Sequence, residues 1–378
     1  MRELSCNQQP TAGVMLPIKA FAALVAGIIL CAGPADAWKR NEVAKEVVLG
    51  PKASVEEIQQ TLDNFPERGG IVVLKPGTFI VNRPICLSKD NQTLRGAGPT
   101  TILRLADNAN CPVLIMGSTS NYPDQVVRNL MVSDLDIDGN RTNQQVEYWN
   151  IDGEGSEIRN NGLVIRSVCD AIVERVRCYS CRSGGLVTEK GVRRLTVSRY
   201  SSWDNQYDGL AAYVTEDSLF TGLFLHHNPG AGLSFDHKFN RNTVSDSILT
   251  DNGCGIFMRD SRDNLFHGLT IRNSREHGVF MSQVATNTVP TPPVSADTVA
   301  TPAVPKAVGR WIVIPNTECT GNVFSGMQIT DSAAAGFLIN DDNCANNVIQ
   351  ASHFARNKLG GLCESRPGLA KTQGNLER

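Results

Sequence analysis

A glycine followed by an aliphatic residue recurs at Gly162, Gly185, Gly209, Gly232, Gly255 and Gly278, with gaps of 23, 24, 23, 23 and 23 residues. It returns at Gly336 and Gly361. No other feature limits the fold so sharply. A period of that length means one structural unit stacked on copies of itself, because a single short unit cannot bury its own apolar face. Each line alternates Val, Ile, Leu and Phe with Asn, Asp, Ser and Gly and carries no helical period, so the unit is made of short strands. An all-β coil of parallel strands follows. A second column, Asn242, Asn264, Asn322 and Asn347, keeps phase with the glycines and predicts amides stacked on amides at a turn. The turn preference of Asn accounts for its frequency but not for its phase.

The rest of the chain is arranged around these repeats. The stretch "SVEEIQQTLDNF" predicts a capping helix over 54–65, with Ser54 and Glu57 as a capping box and Val55, Ile58, Leu62 and Phe65 at helical spacing. Residues 1–37 read as a signal peptide, since Lys19 precedes the apolar run "AFAALVAGIILCAG" and "ADA" stands before Trp38. Export to the periplasm or beyond is expected, with no membrane span once the segment is removed. Residues 38–365 then form one domain, and 366–378 a polar C-terminal tail. The Pro-, Thr- and Ala-rich stretch 283–310 reads as a long loop extruded beside the coil. A net charge of −2 gives no case for nucleic acid as a partner. A monomer is expected.

A helix leading into "GGIVVLKPGTF", then "LRGAGPTT", then "LDIDGNRTN", then Gly-headed coils resembles the pectate lyase superfamily, and most closely the catalytic module of the mannuronan C5-epimerases. The likeness covers roughly residues 45–365. It implies a right-handed, single-stranded parallel β-helix and a protein that acts on or binds a polysaccharide, since such coils carry lyases, epimerases, hydrolases and binders alike. The epimerase run Tyr-Gly-x-Asp-Pro-His falls on "GGLVTEK", where Gly184, Val187 and Glu189 hold the Tyr, Asp and His places. Where the family has its lysine, Gln144 and Gln145 stand. The familiar constellation is absent.

The candidate site comes from strand alternation. With the residue after each glycine pointing in, the fourth after it points out, giving Arg166, Glu189, Tyr213, Asp236, Arg259 and Ser282 on rungs about 4.8 Å apart. Asp208 and His277 flank this column, each just before a glycine. Abstracting the proton beside a uronate carboxylate needs a cation for the carboxylate, a base, and an acid such as Tyr. Tyr213, Asp236, Glu189 and His237 are therefore the expected catalytic residues, and Arg166, Arg259, Asp208 and His277 the expected substrate contacts, in a lyase or epimerase-like enzyme acting on an acidic polysaccharide. Three alternatives stay open: inverting hydrolysis by Glu189 and Asp236, a non-catalytic polysaccharide-binding coil, and a bare salt-bridge ladder, Arg166 with Glu189 and Asp236 with Arg259. No cofactor or metal is expected. Calcium is the alternative, from Asp134, Asp136 and Asp138 in "DLDIDGN", although Gln145 stands where a calcium loop needs Glu. Cys319 and Cys344, each three residues before a ladder Asn, should stack on adjacent rungs and pair as a disulfide.

Overall fold

The computed structural model describes residues 45–151, 156–283, 285–287, 311–313 and 317–378. The segment read as a signal peptide and most of the 283–310 stretch lie outside them. Among the described residues no helix is long and apolar enough to cross a membrane.

Parallel strands wind into a coil with three long ladders. In the first, which carries the glycine repeat, Leu163, Leu186, Leu210, Leu233, Ile256, Val279, Phe337 and Leu362 stand in unbroken register. The second runs through twelve rungs from Lys45–Leu49 to Ala370–Gln373. The third starts at Gly77–Val81 and ends at Leu376–Glu377. The jump from Val279 to Phe337 leaves out one long excursion, whose base is the antiparallel pair Ala285–Asn287 with Trp311–Val313. Residues 366–378, expected as a polar C-terminal tail, continue the coil. Leu369 is buried and seats this turn, and the strands after it complete the second and third ladders.

Why the chain returns to Gly is visible in the rung spacing. A side chain at Gly255 would meet the Gly278 carbonyl oxygen at 2.4 Å, and one at Gly278 would meet that of Gly336 at 2.4 Å. At this corner each coil presses its backbone on the next, and no methyl fits. The residue after each Gly points inward as expected, and Leu163, Leu186, Leu210, Leu233, Ile256 and Val279 are all fully buried. Each such side chain contributes about 2 kcal/mol by leaving water. Aromatic rings extend the stack, with Phe235 on Phe239 at 3.8 Å and Phe266 on Phe324 at 4.6 Å between ring centroids.

The Asn column forms as the phase predicts. The Asn264 side chain accepts from the Asn242 backbone N–H at 2.9 Å and donates to the Asn322 side chain at 2.8 Å, and Asn322 donates to Asn347 at 3.0 Å. A second buried column, absent from the sequence reading, runs Asn205, Asn228, Asn252 with side-chain bonds of 2.9 and 3.0 Å. These columns satisfy backbone groups at the turns that no strand reaches. At the N-terminal end the helix Val55–Asp63 closes the coil. Ser54 and Glu57 form both bonds of the capping box, and Val55, Ile58, Leu62 and Phe65 are buried.

Asp134, Asp136 and Asp138 stand on one strand with Leu135 and Ile137 buried between them. Each carboxylate meets an arginine of another rung: Asp134 with Arg175, Asp136 with Arg177, Asp138 with Arg104. Cys319 and Cys344 do stack on adjacent rungs and both are buried, but as free thiols, not as the expected disulfide.

Candidate functional site

The outward column is continuous, and it is not uniform. Arg166 lies opposite Glu189, with Nε 3.2 Å from Glu189 Oε1, and its guanidinium donates to the Thr119 carbonyl at 3.1 Å and Asn121 Oδ1 at 3.3 Å. It is fully buried, because residues of the loop after Gly117 close over it. The expected contact with substrate is thus replaced by a loop anchor. Arg259 Nη1 sits 3.6 Å from Asp236 Oδ1 and its guanidinium lies 4.5 Å over the Phe257 ring. Both ion pairs of the expected salt-bridge ladder therefore form.

Between the two pairs the column opens into a pocket of 360 Å³. Tyr213 and Asp236 enter it from the column, and Asp208 from the turn that leads into the next strand. Two turns form its floor: Pro229–Gly230 and Gly253, which pack so tightly that a side chain at Gly253 would meet the Pro229 oxygen at 2.1 Å. A side chain at Gly230 would meet Asp208 Oδ1 at 2.5 Å, so the Asp208 carboxylate occupies space that only glycine leaves.

Arg159 forms part of the wall. It comes from an antiparallel hairpin, Tyr148–Ile151 with Ser156–Arg159, inserted between coils. Its guanidinium pairs with Glu147 and lies 4.7 Å over the Tyr207 ring, whose hydroxyl donates to Glu147 Oε2 at 3.0 Å. Glu276, Ser234 and Cys254 complete the polar lining. Sequence reasoning missed Arg159, Tyr207 and Glu276. The hairpin has no phase with the repeat, but Tyr207 and Glu276 each stand two residues before a ladder glycine and could have been read as flanking Asp208 and His277 are.

Of the expected residues, Tyr213, Asp236 and Asp208 are brought together. Glu189 is on the neighbouring rung, engaged with Arg166. His237 stands edge-on to Tyr213, 6.3 Å between ring centroids, outside the lining. His277 faces the next rung, where its Nδ1 accepts from the Ala335 N–H at 3.2 Å.

Burial pushes the Asp208 carboxyl up to about 6, against the Ala231 N–H that donates to its Oδ1 at 2.7 Å, with the Asp236 charge adding to the rise. Burial likewise raises Asp236, which Arg259 pulls back down. It raises Glu189 too, against Arg166, and the Tyr213 phenol, on which the Asp208 and Asp236 charges act in the same direction. Burial lowers His277, so its imidazole is neutral at physiological pH. The pocket thus holds a carboxyl with a proton at mildly acid pH, a second carboxyl fixed by a guanidinium, and a neutral phenol beside Ser234. Such a set can donate one proton, accept another and orient a hydroxyl-bearing ligand.

Comparisons with known proteins agree with this architecture. Residues 128–289 match the family described as right handed beta helix region. No curated protein sequence matches the chain. Among solved structures it is similar to the A-module of an Azotobacter vinelandii mannuronan C-5 epimerase, with 14% identity, 86% of this chain and 96% of that one covered, and a TM-score of 0.59. It is also similar to the endo-xylogalacturonan hydrolase of Aspergillus tubingensis, with 13% identity, 86% and 93% covered, and a TM-score of 0.54. A tailspike protein of E. coli bacteriophage HK620 shows 10% identity, 87% and 63% covered, and a TM-score of 0.58. At such identities the likeness is one of fold, and the fold of this chain is the right-handed parallel β-helix.

Proposed function

We propose that this chain is an exported enzyme that cleaves a polysaccharide by general acid–base hydrolysis in the Asp208 pocket. One observation carries the reading: Asp208 and Asp236 share a single pocket but not a single environment. Asp208, whose carboxyl is pushed up to about 6, holds the proton for the departing glycosidic oxygen. Asp236, beside Arg259, is the carboxylate that takes a proton from water. Tyr213 is the neutral donor in the same pocket, and its phenol bonds the substrate most strongly as charge develops in the transition state. The balance of charge favours hydrolysis over chemistry on a uronate. Asp208, Asp236 and Glu276 line the pocket with one guanidinium, Arg159, and that one is engaged by Glu147. A substrate carboxylate at the cleavage point would meet mostly like charge. Two of the similar folds carry the names of polysaccharide-acting enzymes, which suits this class of substrate. Placement outside the cytoplasm rests on the signal-like residues 1–37.

Elimination from a uronan is the second reading, favoured by the Tyr213 phenol beside Asp208. The test separates the two. The purified chain is incubated with xylan, glucan, polygalacturonate and alginate, and products are followed by reducing ends and by ultraviolet absorbance. Reducing ends without absorbance, lost in Asp208→Asn and Asp236→Asn, are the expected result. Absorbing unsaturated ends would replace hydrolysis by elimination. An Asp208→Asn variant as active as the parent would remove this pocket from consideration.

A further inference from the structure

The third ladder carries an outward column unrelated to the pocket. Arg104, Asp138, Tyr179, Trp203 and His226 occupy consecutive rungs in register. The three rings are stacked: Tyr179 and Trp203 at 4.8 Å between centroids and 15° between planes, Trp203 and His226 at 5.5 Å and 3°. Trp203 covers one face of Tyr179. On the side of the next rung, toward Asp138, is a small cleft of 180 Å³, lined by Arg104, Asp138, Asn140, Arg141 and Tyr179 among others.

The walls of this cleft are held in place. Asp138 is 7% exposed, pairs with Arg104, and accepts from the Asn140 N–H at 2.8 Å. Asn140 adopts the left-handed conformation at φ 47°, and its amide donates to the Leu105 carbonyl at 3.0 Å and Asp107 at 2.7 Å while accepting from Arg104 at 3.1 Å. An aromatic ring with its far face backed by another ring, beside fixed polar groups, suits a ligand with an apolar face and a polar rim. A pyranose ring has that form. The charge narrows the choice, since the cleft is lined by two guanidiniums, Arg104 and Arg141, against one carboxylate, Asp138. This is the reverse of the acid-rich pocket on the first ladder.

We infer that this cleft is a non-catalytic binding subsite for one acidic sugar unit, a hexuronate ring stacked beside Tyr179 with its carboxylate toward Arg141. It fits one ring because its volume is well below that of pockets for drug-sized ligands. The inference stands apart from the chemistry assigned to Asp208 and would survive the failure of that assignment.

The experiment is calorimetric titration of the whole chain with short oligogalacturonates, and with the same oligomers after reduction of their carboxyls to alcohols. Tyr179→Ala should weaken oligogalacturonate binding by roughly tenfold, as loss of a stacking ring does elsewhere. Tyr179→Phe should keep it. Arg141→Ala should weaken binding and flatten its dependence on salt, with no effect on the reduced oligomer. Arg141 opens the short 3-10 helix Arg141–Asn143 and is no part of the aromatic stack, so this variant leaves the stack in place if Tyr179→Ala disturbs it. Thermal melts of each variant identify any loss of fold. Absence of oligogalacturonate binding by the parent chain, or unchanged affinity in both Tyr179→Ala and Arg141→Ala, overturns the inference. Equal binding of acidic and reduced oligomers overturns the acidic class.

Discussion

Replacing Asp208 by Asn should make the chain inactive and, near neutral pH, more stable. Its carboxyl is shifted from 3.8 to about 6, with burial the largest cause. The folded chain therefore holds this proton more tightly than the unfolded chain does, and the contribution to stability is fully present below about pH 4 and lost as pH rises through 6. Above that, the fold carries a half-buried ionised group. At about 1.36 kcal/mol per tenfold change in proton affinity the whole penalty comes to about 3 kcal/mol. Some of it is screened at the mouth of the pocket, so a gain of about 1–2 kcal/mol is the working figure. An Asn side chain keeps an oxygen for the Ala231 N–H and carries no charge at any pH. Urea unfolding of parent and variant from pH 4 to pH 8 is the assay, read beside hydrolysis rates on the best glycan. The two stability curves should coincide near pH 4 and diverge upward, with activity in the variant lower by about a hundredfold or more. A constant offset across pH would refute the buried-carboxylate account, and with it the reason for making Asp208 the acid.

Further outcomes follow from the same geometry. Tyr213→Phe should lower kcat with KM nearly unchanged, because the phenol O–H matters mainly once charge develops, and Arg259→Ala should shift the acidic limb of the rate profile to higher pH, since that guanidinium lowers Asp236. Asn264→Ala leaves the Asn242 N–H and the Phe239 carbonyl without their partner, both buried, and should cost about 2–4 kcal/mol in urea unfolding, while Lys371→Ala on the exposed surface should stay within about 0.5 kcal/mol. Leu233→Asp puts an unpaired carboxylate in the core stack and should give no soluble folded protein on size exclusion; a soluble variant with the parental melt would mean that inside and outside had been exchanged.

The coil was legible because stacking punishes any departure from phase. Gly255 must be Gly where the Gly278 carbonyl presses on it, and Asn264 must be Asn where two buried backbone groups face it, so both columns print their period into the sequence. The site was legible only as far as it shares that period. Tyr213 and Asp236 were found from alternation, and Asp208 from its place before a glycine. Arg159 was not, because a hairpin inserted between coils obeys no repeat. Alternation also cannot tell an open face from a covered one. Arg166 points outward by register, yet the Thr119 carbonyl and Asn121 meet it there. The last coil escaped notice for the opposite reason: its strands Ala370–Gln373 and Leu376–Glu377 are largely exposed and carry no apolar alternation.

These differences explain where a stacked coil places its chemistry. A regular face pairs its own charges, as Arg166 does with Glu189 and Arg259 with Asp236, and paired charges on flat rungs leave little room for a ligand. A pocket needs the regularity to fail locally. Here it fails twice at one place: Gly230 and Gly253 lower the floor beside the column, and the hairpin with Arg159 raises a wall above it. Asp208 lies in the hollow so made, carried by a turn and not by the column, and burial there pushes its carboxyl up to about 6. The repeat supplies rigidity and spacing, and the interruption supplies reactivity. Function in this chain should accordingly be sensitive to residues that break the 23-residue pattern, while the residues that keep it set stability.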